Sequence, residues 1–130
     1  MIVADTSTWI AYLEGERGPD TQMLDRALED RQVLMAPVAL TELLSDPKLP
    51  SDLAQTLGEV PLIEIREGYW ERAGALRATV LAMRRKARLG DALIAQSCLD
   101  RGVSLLTRDR DFRAFVAASG LDLATGESGM

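Results

Sequence analysis

The sequence predicts an α/β domain in which helices surround a parallel sheet of four to five short strands. Short apolar runs without polar alternation recur along the chain, and such runs are typical of strands buried on both faces. Segments whose apolar residues have helical spacing separate these runs, as in a chain of β-α-β units. The 130 residues, 47% of them hydrophobic, are enough for one domain with its own core.

The first part of the chain opens with the apolar run Ile2–Ala4, which we predict to be a strand at the centre of the sheet. A short helix over 8–13 follows, and Asp20 is placed to cap a second helix that runs to about Asp30. Residues 33–35 are apolar again and predict a second strand.

Two prolines indicate where the next helices begin, because proline is favoured in the first turn, where its missing N–H would have no partner. Pro37 predicts a helix over 38–44. Pro50 precedes a fourth helix that ends near Leu57. Residues 62–65 predict a third strand.

The longest predicted helix covers residues 67–87. Its apolar residues recur at alternating steps of four and three, which places on one face Tyr69, Ala73, Leu76, Val80 and Met83. The last turns of this helix carry the basic residues up to Arg88, and cations near a helix C-terminus interact favourably with the helix dipole. The next helix, over 92–100, is apolar nearly all round, so we expect it to be buried.

The last part of the chain predicts a fourth strand over 104–107 and a helix that begins at Asp109 or the next residue and runs to about Ala118. Residues 121–123 predict a last edge strand. We therefore expect a single domain over 1–124, followed by a flexible C-terminal tail of small and polar residues.

The composition restricts the chemistry of any site. Histidine is absent and Cys98 is the one cysteine, which excludes imidazole zinc sites, histidine acid–base catalysis and an internal disulfide. Oxygen atoms remain as metal ligands, and they favour Mg²⁺ or Mn²⁺. The net charge of −5 argues against a protein that coats nucleic acid by long-range attraction. We expect a cytoplasmic protein, since no apolar stretch approaches the roughly 18 residues of a membrane span.

Four of the twenty acidic residues have apolar neighbours. Asp5 ends the first strand, and Glu42 interrupts an apolar helix. Asp91 precedes the buried helix, and Asp109 follows the fourth strand. A charge near a core is costly unless it is paired or coordinates a metal. Sites in open α/β sheets form at the carboxyl ends of the strands, so we expect these four carboxylates to meet there.

Each of the four also has a purely structural explanation. Asp5, Asp91 and Asp109 lie where they can cap helices, and Glu42 can pair with an arginine. All four together are better explained by one shared site. Converging carboxylates repel one another, and a divalent cation removes the conflict. Such a site suits hydrolysis of a phosphodiester bond by metal-activated water.

Polar residues next to the four acids complete the predicted site. Thr6, Ser7 and Thr107 are placed to support the metal ligands with their hydroxyl groups. Asp111 is either an outer carboxylate of the site or an acid that stabilises the first turn of a helix.

Four stretches together resemble the PIN-domain nucleases: Val3-Ala4-Asp5-Thr6-Ser7, the isolated Glu42 on an apolar helix, Gly90-Asp91-Ala92-Leu93-Ile94-Ala95, and Leu106-Thr107-Arg108-Asp109-Arg110-Asp111-Phe112. The resemblance covers nearly the whole chain, in order. Within that family the chain is most similar to the VapC toxins of bacterial toxin–antitoxin pairs.

The resemblance implies a PIN-like α/β/α sandwich and a metal-dependent endoribonuclease with Asp5, Glu42, Asp91 and Asp109 around Mg²⁺ or Mn²⁺. It also implies a homodimer and a cognate VapB-like antitoxin whose C-terminal segment blocks the active site. The implied substrate is structured RNA, such as transfer or ribosomal RNA.

Several residues are candidates for binding these partners. Those placed to contact RNA phosphates are Arg85, Lys86, Arg88, Arg108 and Arg110. The three before residue 90 are explained equally well as a complement to a helix terminus. Trp9 and Trp70 suit core or interface packing better than base stacking. Met23, Leu24 and Leu28 either present a groove to an antitoxin helix or pack in the core.

Three alternatives compete with this interpretation. A phosphoryl-accepting receiver domain needs an acid pair after the first strand and a lysine after a late one, and the sequence has neither. A haloacid-dehalogenase-type phosphohydrolase needs a second aspartate where Ser7 stands. A catalytically silent PIN fold that binds RNA or protein is the third, and the four acids argue against it.

Overall fold

A computed structural model describes residues 1–124, and within them it contains four strands and seven helices. The strands are β1 (Ile2–Ala4), β2 (Val33–Leu34), β3 (Ser104–Leu106) and β4 (Leu123–Ala124). The helices are α1 (Thr6–Leu13), α2 (Pro19–Glu29), α3 (Pro37–Leu44), α4 (Ser51–Gly58), α5 (Tyr69–Ala82), α6 (Leu89–Arg101) and α7 (Phe112–Ser119). No helix in this part of the chain has both the length and the apolar character of a bilayer span. The predicted flexible tail over 125–130 lies outside the described residues.

The strands of the sheet are all parallel and lie in the order β2-β1-β3-β4. Val3 of β1 pairs with Leu34 of β2 on one side and with Leu105 of β3 on the other. The side chains of Val3, Leu105 and Leu106 are fully buried, as expected for strands covered on both faces. The predicted α/β class with a parallel sheet is therefore confirmed, with four strands in the described range.

Right-handed crossovers determine the side on which each helix lies. The connection from β1 to β2 runs in one direction along the sheet, and the connections to β3 and β4 run in the other. Helices α1 and α2 therefore cover one face, whereas α5, α6 and α7 cover the opposite face and pack against one another. This is the α/β/α layering that the resemblance implies.

The third predicted strand is wrong. Residues 62–65 form only an isolated parallel bridge between Leu62 and Met35. Met35 donates to the Pro61 carbonyl and accepts from the Ile63 amide, and no further ladder follows. Because β2 itself has only two residues, the sheet has little edge left on which another strand can pair.

The longest helix ends five residues earlier than predicted, because Arg84 adopts a left-handed conformation with φ of 60°. The amides of Arg84 and Arg85 bond back to the carbonyls of Leu81 and Val80, the pattern of a Schellman motif. The basic residues that we predicted inside the helix therefore lie in the loop before α6. Arg77 holds this loop by donating to the Ala87 carbonyl at 2.8 Å.

Other helices begin a few residues from their predicted starts. Helix α1 begins at Thr6 because Asp5 caps it, and α6 begins at Leu89. Helix α7 begins at Phe112, after a separate turn. Helix α2 begins at Pro19, so the prediction of Asp20 as its cap is wrong: Asp20 lies in the first turn, and Gly18 is the capping residue. The edge strand β4 is displaced to Leu123–Ala124.

Candidate active site

Asp5 lies at the carboxyl end of β1 and is only 3% exposed. One carboxylate oxygen accepts the Thr8 amide at 3.0 Å and so caps α1, as one alternative predicted. The other oxygen accepts the Thr107 hydroxyl at 2.6 Å. The Ser7 hydroxyl lies 2.8 and 2.9 Å from the two oxygens and has one proton to give. The Thr8 amide and the two hydroxyl groups therefore donate three hydrogen bonds to a carboxylate that can accept four. The remaining lone pair is available to a cation.

Thr107 connects β1 to the turn that carries Asp109. Besides donating to Asp5, its hydroxyl oxygen accepts the Asp109 amide at 2.9 Å. Asp109 in turn accepts the Asp111 amide at 2.9 Å, so its carboxylate stabilises the turn between β3 and α7. The residue at the cap position of α7 is Asp111, and its side chain makes no capping bond. The interpretation of Asp109 as the cap of this helix is therefore wrong.

Asp91 is the third residue of α6, so it does not cap that helix either, and the residue at the cap position is Arg88. One oxygen of Asp91, Oδ2, is buried without a hydrogen-bond partner in the described structure. Burial, followed by the charges of Asp109 and Asp5, raises the pKa of Asp91 from 3.8 to about 6, and Arg88 acts in the opposite direction. An orphaned carboxylate oxygen among like charges is an expected feature of a cation site.

Glu42 reaches the group from α3. Its Oε1 accepts the Thr6 hydroxyl at 2.8 Å, and its side chain is otherwise exposed. Among the residues that the structure describes, no arginine forms a salt bridge with Glu42, so the predicted arginine pairing is not observed. Helix α6 passes close by at Gly90, where a Cβ atom would lie 3.3 Å from both carboxylate oxygens.

The structure brings all four predicted carboxylates into one cavity of about 230 Å³. The cavity is lined by Asp5, Thr6, Ser7, Ile10, Glu42, Arg88, Gly90, Asp91 and Asp109. Oxygen atoms of Asp91, Asp109 and Asp111 also lie within 4.8 Å of one another. Asp111 therefore lies beside two of the converging carboxylates, and Lys86 lies 3.6 Å from its Oδ2.

The residues present fit a hard divalent cation. The side chains that converge offer carboxylate and hydroxyl oxygen atoms, which Mg²⁺ and Mn²⁺ prefer. The buried Asp91 Oδ2 lacks a partner that a cation would supply. Burial also raises the pKa of Asp5, even though its hydrogen bonds from Thr107, Thr8 and Ser7 favour the charged form. Several ionised carboxylates in one cavity repel one another and raise the free energy of the folded state, and a bound cation offsets this repulsion.

We expect the metal-free protein to lose stability as the pH rises from about 4 to about 6. The raised pKa of Asp91, about 6, means that the folded state binds this proton more tightly than the unfolded chain. The resulting stabilisation is complete below the ordinary pKa and is lost as the pH rises through the folded value. Urea unfolding in chelator at several pH values tests this. The slope should be shallower for Asp91→Asn, and parallel curves would contradict the assignment.

Gly90→Ala is expected to weaken Mn²⁺ binding by up to about tenfold without loss of stability. The added methyl group would displace the Glu42 carboxylate by a few tenths of an ångström, whereas alanine favours the helix by roughly 1 kcal/mol over glycine. Titration calorimetry and urea unfolding measure the two effects separately. Gly74→Ala in α5 is the matched control, because a Cβ there meets nothing within 4 Å. Unchanged Mn²⁺ affinity in Gly90→Ala would contradict the predicted effect of displacing the Glu42 carboxylate.

The predicted RNA-contacting residues have different positions. Arg88 lines the cavity, and Lys86 lies beside Asp111 at its margin. Arg85 and Arg110 are exposed. Arg108 instead forms two hydrogen bonds with Asp20, at 2.8 and 2.9 Å.

The aromatic and apolar candidates also differ in their surroundings. Trp9 is buried in the core, whereas Trp70 is 63% exposed and contacts Tyr69 edge to face. Leu24 is fully buried, and Met23 and Leu28 pack against the core, as the simpler of the two explanations predicts.

Sequence reasoning missed two residues that shape the site. Gly90 permits the close approach of Glu42, and the Gly-Asp pair at the start of an apolar helix was the available signal. Asp20 is the buried partner of Arg108, although its position suggested a helix cap. No local pattern reveals this pairing, because the two residues are 88 positions apart.

Comparisons with known proteins identify the family and the fold. A family model described as PIN domain matches residues 2–117. Among solved structures, the crystal structure of FitAcB from Neisseria gonorrhoeae is similar, with a TM-score of 0.70. The alignment covers 97% of this chain and 98% of that chain at 19% sequence identity, which shows a shared fold.

Proposed function

The chain belongs to the PIN domain family, and from this premise we propose that it is a metal-dependent endoribonuclease that acts as the toxin of a VapBC-type toxin–antitoxin system. The observation that carries the proposal is the cavity in which four carboxylates from β1, α3, α6 and the β3–α7 turn converge. A fold does not require these charges to converge, and their mutual repulsion opposes it. A catalytic cation site explains the arrangement.

In this proposal, Asp5, Glu42, Asp91 and Asp109 hold Mg²⁺ or Mn²⁺. When bound, such a cation activates water and stabilises negative charge on the scissile phosphate and the leaving oxygen. The chain's hydroxyl groups orient the ligands: Ser7 and Thr107 donate to Asp5, and Thr6 donates to Glu42. These bonds keep the two carboxylates in place, and those to Asp5 favour its charged form. Asp111 supports the arrangement from outside the cavity lining.

The basic residues position RNA beside the carboxylates. Arg88 lines the cavity itself, so its guanidinium is available to a phosphate next to the cation. Arg85, Lys86 and Arg110 extend this positive margin along the RNA backbone. Phosphate contacts of this kind set position and carry little sequence information. Because the net charge is −5, the attraction is local and does not extend over the whole surface. Arg108 is left out of this surface because Asp20 holds it.

We also propose a VapB-like antitoxin that covers the cavity. A groove of about 370 Å³ adjoins it and shares Ile10 and Glu42 with it. Leu13, Leu43, Leu49 and Leu53 line this groove together with acidic residues. An amphipathic segment with apolar anchors and a basic side chain would fit there and block RNA. The groove replaces the predicted one at Met23, Leu24 and Leu28, which pack on the core. A homodimer remains part of the proposal, and light scattering after size-exclusion chromatography tests it.

Cleavage of total RNA by the purified, antitoxin-free protein tests the enzyme proposal. We expect discrete fragments with Mg²⁺ or Mn²⁺ and none with chelator, and fragment ends would show whether transfer or ribosomal RNA is cut. Asp91→Asn protein, purified in the same way, controls for contaminating ribonucleases. Failure of the folded wild-type protein to cut any RNA, together with failure to bind Mn²⁺, would favour the alternative, a catalytically silent PIN fold that binds RNA or protein.

A further inference from the structure

Asp20 is a buried carboxylate that the proposed chemistry does not use. It lies in the first turn of α2 and is 8% exposed. Arg108 donates two hydrogen bonds to the Asp20 carboxylate, from Nε to Oδ2 at 2.8 Å and from Nη2 to Oδ1 at 2.9 Å. The Thr8 hydroxyl adds a third at 3.0 Å. Helix α2 does not need this carboxylate as a cap, so the buried charge calls for another explanation.

The partners of Asp20 belong to the two segments that carry Asp5 and Asp109. Thr8 lies in the first turn of α1, and its amide bonds to the Asp5 carboxylate. Arg108 stands in the chain between Thr107, which donates to Asp5, and Asp109 itself. The carboxylate of Asp20 therefore bonds to both segments from outside the cavity, whose lining includes neither Asp20 nor Arg108.

The contact between Asp20 and Arg108 has a geometry that fixes the positions of the two side chains but adds little to the stability of the fold. A planar guanidinium that meets a carboxylate with two parallel bonds fixes both direction and distance. Such pairs contribute little net stability when partly exposed, as the Arg108 side chain is at 34%. Arg108 holds the pKa of Asp20 below its usual range, so the pair stays charged wherever the protein is folded near neutral pH.

We propose that Asp20 is a positioning residue that, through Arg108, fixes the place of Asp109 relative to Asp5 and thereby sets the affinity for the cation. This inference rests on the proposed function, because it concerns the same cation site. It assigns to a carboxylate outside the cavity a role that its neighbours in sequence do not reveal.

Mn²⁺ titration of the full chain by calorimetry tests the proposal. Asp20→Asn and Arg108→Lys should each weaken binding by about tenfold, the low end of the effect of residues that support metal ligands. The double variant should be no weaker than the single ones, because each change breaks the same contact. Asp100→Asn is the matched control: it breaks a similar two-bond pair with Arg72, at the far end of α6 from Asp91. Its Mn²⁺ affinity should equal that of the wild type.

Amide hydrogen exchange of the metal-free protein gives a second readout that involves no cation. Two amides form hydrogen bonds within the turn: the Asp109 amide donates to the Thr107 hydroxyl oxygen, and the Asp111 amide donates to the Asp109 carboxylate. Both should exchange about tenfold faster in Asp20→Asn, as expected for loss of local order, and at the wild-type rate in Asp100→Asn. If Asp20→Asn does not fold, Arg108→Lys decides, because it leaves Asp20 with a cationic partner but without the two-bond geometry.

The outcomes separate this inference from the proposed function. Absence of Mn²⁺ binding by the wild-type protein would overturn both. Wild-type binding that Asp20→Asn and Arg108→Lys leave within twofold would overturn the inference alone, as would unchanged exchange of the two amides. If Arg108 instead contacts RNA directly, Arg108→Lys should weaken RNA binding and leave the Mn²⁺ affinity unchanged. That result too would overturn the inference.

Discussion

Replacement of Asp91 by asparagine is expected to lower the rate of RNA cleavage by more than about 100-fold, the upper end of the losses seen when residues that merely support metal ligands are removed. The change keeps the shape of the side chain but removes its charge. The cavity then contains three carboxylates in place of four, and the unpartnered carboxylate oxygen of Asp91 is no longer available to a cation. Initial rates on a labelled fragment of the RNA that the wild type cuts give the measurement.

Asp52→Asn is the matched control for this experiment. Asp52 is also an acidic residue in the first turn of a helix, α4, but it is exposed and does not line the cavity. Its removal should leave cleavage within about twofold of the wild type, as for most surface changes. Cleavage by Asp91→Asn at a comparable rate would remove this residue from the catalytic group. Because burial and then the charges of Asp109 and Asp5 raise the pKa of Asp91, the ionised carboxylate destabilises the metal-free fold, and the metal-free variant should be more stable than the wild type at neutral pH.

Saturating Mn²⁺ is expected to stabilise the wild-type protein by about 2.7 kcal/mol when its concentration is 100 times the dissociation constant. For a domain of this size the melting temperature should rise by about 10 °C. Asp5→Asn should abolish most of this gain. Asparagine caps a helix about as well as aspartate, so α1 should keep its start, and the lost response then reports on the cation.

Thermal unfolding followed by circular dichroism, with Mn²⁺ and with chelator, measures this effect. Asp52→Asn again serves as the control and should respond like the wild type. An equal rise in melting temperature for Asp5→Asn would exclude Asp5 as a ligand. Helix content before unfolding confirms that the variant is folded.

Prediction from sequence succeeded where local chemistry decides the structure. The apolar run before Asp5 indicated a strand buried on both faces, and parallel topology then brought the strand ends to one edge. Prediction failed where distant contacts or backbone details decide. The run 62–65 has strand-like residues, but pairing depends on the free edge of a two-residue strand. The early end of α5 depends on a left-handed arginine, a conformation that the sequence does not favour.

The sequence indicated which acidic residues line the cavity, but it did not indicate which side chains form hydrogen bonds with one another. Four isolated acids in apolar contexts were visible, because a charge next to core residues needs a reason. The pairing of Thr6 with Glu42 and of Arg108 with Asp20 was not visible, because each joins residues far apart in the chain. The capping explanation held for Asp5, which both caps α1 and lines the cavity. The two functions are therefore compatible in one carboxylate.

The hydrogen bond from Thr107 to Asp5 spans 102 positions of the chain, and this has a consequence for synthesis. A growing polypeptide holds Asp5, Glu42 and Asp91 well before it holds β3 and Asp109. Until β3 pairs with β1, the Asp5 carboxylate lacks the Thr107 hydroxyl, and the cavity lacks one wall. Late closure is typical of sheets whose neighbouring strands are distant in sequence. If this cavity is the catalytic site that we propose, a growing chain has no activity until β3 is made and paired, and a product that stops short of residue 107 is inactive.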